Sequence, residues 1–240
     1  MLKACLVTTT CYGSPEEMRF KLACKLVRKA QEIGLPIFVV DGSPDAREIS
    51  FRLRVAGATV FRQQTDGMGP ARSEVLRHAI EQDYEAIGWV EPEKHTLIQH
   101  IPTLMGPVIT DQCDMVIPQR ISLETYPAYQ RDSELEANRE LASITGRPDL
   151  DLMSGPRFMN RKAAEIMAAY DGEYGNNWEI LFVPVLHMLK AGLRITSVPV
   201  PYEHPEEQRA EDDEAMRRKR DIQREVLVAA MKKAAAAINY

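Results

Sequence analysis

Short apolar runs alternate along the chain with longer mixed stretches, and this alternation is the first structural signal. The runs at 4–9, 37–40, 59–62, 86–90, 114–118 and 194–200 are rich in β-branched residues and are closed by Gly, Pro, Ser or Asp. Runs this short, bounded by turn residues, predict buried strands. Between them the pattern predicts helices over 15–33, 45–56, 70–81, 97–104, 133–144, 161–170 and 178–192. The first helix is signalled most fully: Ser14 reads as its N-cap and Pro15 as its first position. Glu16 and Glu17 complement the dipole, and Gly34 and Pro36 stop it.

Strands that alternate with helices of this length imply an α/β fold, a mainly parallel central sheet with helices on both faces. In such sheets ligands bind at the carboxyl ends of the strands, so the loops after Thr9, Val40, Arg62 and Val90 are the ones to watch. No internal repeat or composition break precedes Pro205. One domain over 1–205 is expected in preference to two, followed by a charged, Ala-rich helical extension over 206–240, which would cover the domain or mediate self-association as a homo-oligomer.

Composition narrows the class. Charged residues make up 27% of the 240 and the formal net charge is −5, which argues against a nucleic-acid surface but leaves room for a local positive site. Cys5, Cys11, Cys24 and Cys113 lack metal-ligand spacing, which points to a reducing compartment and no structural zinc. The start of the chain has no long apolar leader, and no run approaches the roughly 20 apolar residues that span a bilayer. A cytoplasmic protein without a transmembrane segment is expected. Arg217, Arg218, Lys219 and Arg220 leave a weak peripheral contact with an anionic membrane open, although Glu211, Asp212, Asp213 and Glu214 beside them reduce that field.

Three strand ends carry candidate chemistry. Asp41 places a carboxylate at the binding edge, able to accept from a nucleobase or a ribose, or simply to initiate its turn. Gly67 and Gly69 precede a helix start with Arg72 beside it, an arrangement that suits a phosphate or supplies only a tight turn. Glu91-Pro92-Glu93 puts two hard oxygen ligands in an extended segment, where one suits Mg or Mn bridged to substrate phosphates and the other a ribose. The same residues with Lys94 also read as a solvated loop, and His95 as an added ligand or, preferred, a surface helix residue.

Taken in order from Ala4 to about Pro205, these pieces resemble the family 2 glycosyltransferases of the GT-A fold, the nucleotide-diphospho-sugar transferase superfamily. Residues 39–45 are similar to the family's strand and acidic Gly-Ser turn, with Gly42 where a second Asp is usual. Residues 67–72 match its glycine-to-helix start, with Ser73 in the place of Asn. Glu91-Pro92-Glu93 stands where the family carries its DxD motif. Asp151-Leu152-Met153-Ser154-Gly155-Pro156-Arg157 resembles the Asp-x-x-Ser-Gly-x-Arg segment of polyprenyl-phosphate mannosyltransferases. Trp178-Glu179 and the ending Val198-Pro199-Val200-Pro201-Tyr202 follow at similar distances.

The resemblance implies roles. Asp41 would contact the base, in a pocket walled by the turn with Thr9 and Tyr12. Glu91 would hold the ribose or metal, Glu93 the metal, and His204 a late metal or phosphate position. Arg120 would meet phosphate. Ser154, Arg157 and Arg161 would form the acceptor or phosphate side, and Glu179 would lie near the acceptor hydroxyl as general base. The implied activity is transfer of a sugar from a nucleoside diphosphate sugar to an unidentified acceptor with Mn or Mg. The alternatives are a catalytically silent nucleotide-sugar-binding or scaffold protein on the same fold, and a sugar-phosphate nucleotidyltransferase.

Overall fold

The computed structural model describes residues 3–201, 203–209 and 214–240. Tyr202 and the acids Glu211, Asp212 and Asp213 lie outside the described residues. Seven strands, β1 (Ala4–Thr10), β2 (Ile37–Asp41), β3 (Thr59–Arg62), β4 (Ala86–Trp89), β5 (Met115–Arg120), β6 (Arg157–Asn160) and β7 (Ile195–Val200), form one sheet in the order β3-β2-β1-β4-β6-β5-β7. Strand β6 is antiparallel to both its neighbours, and the remaining pairs are parallel. That strand is absent from the sequence reading, which treated residues 151–157 as a binding segment.

The two-residue period of the strands builds a three-layer molecule. Val7, Phe38, Val40, Ile87, Trp89, Met115 and Ile117 face one core. Leu6, Ile37, Val39, Ala86 and Val116, interleaved with them, face the other. On the second side lie α1 (Met18–Glu32), α2 (Ala46–Ala56) and α4 (Ile101–Ile109), with α1 turning Phe20, Ala23, Leu26, Val27 and Ala30 inward at helical spacing. On the first lie α3 (Met68–Glu81), α5 (Ala128–Thr145), α6 (Arg161–Ala168) and α7 (Val183–Lys190).

Helix α1 begins later than Ser14 predicts. Glu17 folds back to accept from the amides of Gly13 (2.6 Å) and Ser14 (3.0 Å), so residues 13–17 form a turn and Glu17 precedes the first helical residue. After the short α8 (Glu206–Arg209) comes α9 (Glu214–Ile238), which sets Leu227, Met231 and Ala234 into the first core, while Ile222 and Val226 stay exposed. No helix among the described residues is long and apolar enough to cross a membrane.

The chain runs from β1 outward through β2 and β3, then returns to place β4 on the other side of β1. The order therefore reverses between β1 and β4, and a crevice opens at their carboxyl ends. Because Trp89 pairs with Arg157, the start of β6 comes to the same edge.

Candidate functional site

A cavity of about 640 Å³ occupies that crevice. Its wall comes from the turn after β1 (Thr9, Thr10, Cys11, Tyr12), from Gly42 after β2, from Gln63, Asp66 and Gly67 after β3, and from residues 91–94 after β4. Ser154 and Gly155 ahead of β6, Trp178, and the start of α9 close the far side.

Asp41 is not part of this wall. Its carboxylate is 0% exposed and accepts from Thr10 Oγ1 (3.0 Å), Ser43 N (3.1 Å), Ser43 Oγ (2.6 Å) and Ser50 Oγ (2.8 Å). Ser43 Oγ in turn accepts from Tyr12 N at 2.9 Å. The expected base contact is therefore corrected: Asp41 ties the β1 turn to the β2 turn and fixes the backbone of the Tyr12 loop. Thr9 and Tyr12 do face the cavity.

At the start of α3, Gly67 lines the cavity, but the amide of Gly69 donates to Asn176 O (2.7 Å). A Cβ on Gly69 would lie 2.8 Å from that oxygen, so glycine is needed there for close packing against residues 172–177. Arg72 donates to Asn177 O (2.8 Å), and its guanidinium stacks 4.4 Å from the Trp178 ring and 5.1 Å from the Trp89 ring. Burial lowers Arg72 to about 10, against the opposing charges of Glu91 and Glu179.

The β4 turn is the charged centre. Glu91 packs against Gly155, where a Cβ would come within 3.0 Å of its carboxyl carbon. Glu93 instead accepts from Tyr12 OH (3.3 Å), and burial, then the charge of Glu91, push its carboxyl up. Lys94 N donates to Glu91 O (3.0 Å), closing a turn that folds the lysine back into the wall. Only 8% of Lys94 is exposed, and its Nζ lies 2.8 Å from His204 Nδ1. Burial lowers the Lys94 ammonium, opposed by Glu91, Glu93 and Glu134. The solvated-loop expectation for Lys94 and the surface expectation for His95 are both corrected, since each is buried.

The three expected metal ligands, Glu91, Glu93 and His204, all line the cavity. Within the turn at 91–94 Glu91 packs against Gly155 and Glu93 accepts from Tyr12 OH, while both line the cavity. Among the described residues no three His, Cys, Asp or Glu side chains converge as a cation site.

Several further expectations meet corrections. Arg120 reaches the cavity wall, but its guanidinium is bound by Asp151 through Nε and Nη2 (both 2.8 Å) and by Glu134, so it is already neutralised. Arg157 is fully buried behind the cavity and donates to the carbonyls of Leu152 (2.7 Å), Pro156 (2.9 Å) and Leu181 (3.3 Å). It ties the residues ahead of β6 to the segment before α7, and so acts as a positioning residue. Arg161 lies beyond Asn160 at the opposite edge of the sheet, paired with Glu165 (3.0 Å) and Asp83 (3.1 Å). Glu179 accepts from Asn177 N (2.8 Å) within its own turn and does not line the cavity, so it is not placed as a general base. Ser154 does line it, with a buried Oγ that has no hydrogen-bond partner among the described residues.

Sequence reasoning missed much of the positive wall. Among the described residues Arg19, Lys94, Lys219, Arg220 and Arg224 line the cavity with Arg72 and Arg120, seven basic side chains beside the four acids Asp66, Glu91, Glu93 and Glu134; Arg120 is paired with Asp151 and Glu134, and Arg224 with Glu136. The basic run expected at a membrane thus turns Lys219 and Arg220 toward the cavity, while Arg217 lies 5.9 Å over the Tyr129 ring. Spacing to a distant helix is what no local pattern reveals; the one available signal was a basic run on a helix with an apolar face. The balance suits an anion.

No protein-family model and no curated protein matches the chain. Solved structures do. Glucosyl-3-phosphoglycerate synthase from Mycobacterium tuberculosis, in complex with Mn2+, uridine-diphosphate-glucose and phosphoglyceric acid, is similar at a TM-score of 0.65 and 16% identity, over 96% of this chain and 80% of that one. Mannosyl-3-phosphoglycerate synthase from Rubrobacter xylanophilus is similar at a TM-score of 0.66 and 12% identity, over 99% and 75%. The seven-stranded sheet and these similarities show the GT-A nucleotide-diphospho-sugar transferase fold that the sequence implied.

Proposed function

We propose that the chain is a glycosyltransferase that binds a nucleoside diphosphate sugar in the crevice between β1 and β4 and passes the sugar to a small acceptor. The observation that carries this reading is the position and charge of the cavity: it lies at the reversal point of the sheet and, among the described residues, is lined by seven basic and four acidic side chains. A drug-sized ligand needs about 300–1,000 Å³, and the 640 Å³ here falls in that range.

The Thr9–Tyr12 turn with Gly42 and Gln63 receives the nucleoside, and the diphosphate lies across the β4 turn. The sugar and acceptor lie toward Ser154, Trp178 and α9. Lys219 and Arg220 at that end favour an acceptor bearing a carboxylate or phosphate, the chemistry of the phosphoglyceric acid held by the synthase above. Arg72 and Lys94 act by countering charge on the departing diphosphate in a water-poor pocket. Arg157 and Asp41 hold the two halves of the wall in place.

A thermal-shift series with UDP, GDP and ADP and their glucose and mannose conjugates tests the binding half. At a hundred times its dissociation constant, the correct ligand is expected to raise the melting temperature by about 5–10 °C. No shift with any of them would contradict the reading. Release of the nucleoside diphosphate on adding 3-phosphoglycerate or other hydroxy acids tests the transfer half. A shift without turnover for any acceptor would favour a silent binding protein.

A further inference from the structure

We propose that Gln130 is a specificity residue: its side-chain carbonyl, set in the α5 wall of the cavity, accepts a hydrogen bond from a hydroxyl of the sugar or of the acceptor. This inference rests on the reading of the cavity as a nucleoside diphosphate sugar site. Gln130 stands in the first turn of α5, lines the cavity and is only 7% exposed. Its amide has one orientation. Glu134, one turn along the helix and paired with Arg120, accepts at 2.6 Å; a carboxylate has nothing to donate, so the group that meets it is the NH2 and the oxygen lies on the other side. That oxygen is buried and takes no hydrogen bond among the described residues.

The wall around it is braced. Arg120 holds Glu134 and is itself held by Asp151 through Nε and Nη2 (both 2.8 Å), while Asn138 donates to Asp151 (2.7 Å) and accepts from Met153 N (3.0 Å). Turning the Gln130 amide over would set its oxygen against the Glu134 carboxylate. A buried acceptor left open in this way costs the ligand-free fold and is satisfied when a ligand brings a donor. Ser154, at the far end of the same brace, lines the cavity with a buried Oγ that is likewise unpartnered among the described residues. A carbonyl only accepts, whereas a hydroxyl donates or accepts, so the two together suit a polyol rather than a bare anion. The donor is a neutral one, because Lys219 and Arg220 line the cavity from α9, which packs on α5, and oppose an ammonium.

Isothermal titration of the full-length protein, with Mn2+ present throughout, tests this. The ligands are whichever of UDP, GDP or ADP gives the largest thermal shift, its glucose conjugate, and the 2-, 3-, 4- and 6-deoxy forms of that conjugate. On protein saturated with the diphosphate, 3-phosphoglycerate is compared with its analogue lacking the C2 hydroxyl. One deoxy ligand is expected to bind wild type about tenfold or more weakly than its parent, and whether it is a sugar or an acceptor names the source of the hydroxyl. In Gln130→Met the parent should weaken to the level of that deoxy ligand, so that the two become equal, while affinity for the diphosphate alone stays within about twofold.

A wild-type protein that binds every deoxy ligand within about threefold of its parent overturns the assignment, and that arm needs no variant to fold. A Gln130→Met protein that still discriminates overturns it too. So does one that loses the diphosphate alone as strongly as the parent ligand, since that marks a structural role. If no diphosphate binds, the underlying reading of the cavity fails and this inference with it, whereas diphosphate binding without hydroxyl discrimination removes this inference alone.

Discussion

The carboxyl ends of β2 and β4 each present a carboxylate to the same edge of the sheet, and they do opposite things. Asp41 is closed off by four internal hydrogen bonds from Thr10, Ser43 and Ser50. Glu91 lies in the cavity wall beside a buried lysine. Position at the binding edge is therefore not enough to make an acid functional. Asp41 lies outside the cavity wall with its oxygens taken up by Thr10, Ser43 and Ser50, whereas Glu91 lines the cavity.

Substitution at the two positions breaks the comparison most directly. Asp41→Ala leaves three buried hydroxyls and an amide without this acceptor, at about 1–3 kcal/mol each, so a loss of at least about 4 kcal/mol is expected in urea unfolding. Glu91→Gln should cost less than about 1 kcal/mol in the same experiment but change nucleotide affinity markedly. Equal stability losses at both positions would show that Glu91 is structural too.

The next effect concerns the ion pair that neutralises Arg120. Burial alone would push the Asp151 carboxyl up, but the hydrogen bonds and charge of Arg120 more than reverse this and hold it below its usual value. A carboxyl depressed in the folded state contributes stability that is complete above its unfolded value, about 3.9, and is lost as the pH falls through the folded one. Acid unfolding followed by circular dichroism should therefore steepen below about pH 4. In Asp151→Asn that acid-dependent component should shrink and neutral-pH stability should drop.

The smallest effect sharpens the contrast from the other side. Ser154 buries a hydroxyl that has no partner among the described residues, which costs stability until a ligand supplies one. Ser154→Ala is expected to stabilise the ligand-free protein by up to about 1 kcal/mol while weakening binding. A destabilised Ser154→Ala variant would mean that the hydroxyl is satisfied within the fold.

The layering of the sheet was legible in the sequence because apolar runs and their closing turns report strands directly. Strand β6 was not. It has four residues, opens on a buried arginine and runs antiparallel, so neither its length nor its composition separates it from a loop. The turns after β1 and β4, marked in the sequence as strand ends, line the cavity, but the difference between Asp41 and Glu91 was not readable, since both are acids at strand ends. The partners that distinguish them come from the folded arrangement. Lys94 and His204 are 110 residues apart, Arg120 and Asp151 are 31 apart, and such pairings leave no periodic trace.

A crystal structure with the bound nucleoside diphosphate sugar tests the central claim most directly. The account predicts the base against the Thr9–Tyr12 turn and the diphosphate within hydrogen-bonding reach, about 3 Å, of Lys94 Nζ. A nucleotide bound outside the crevice, or one whose diphosphate is turned away from the β4 turn, would contradict it.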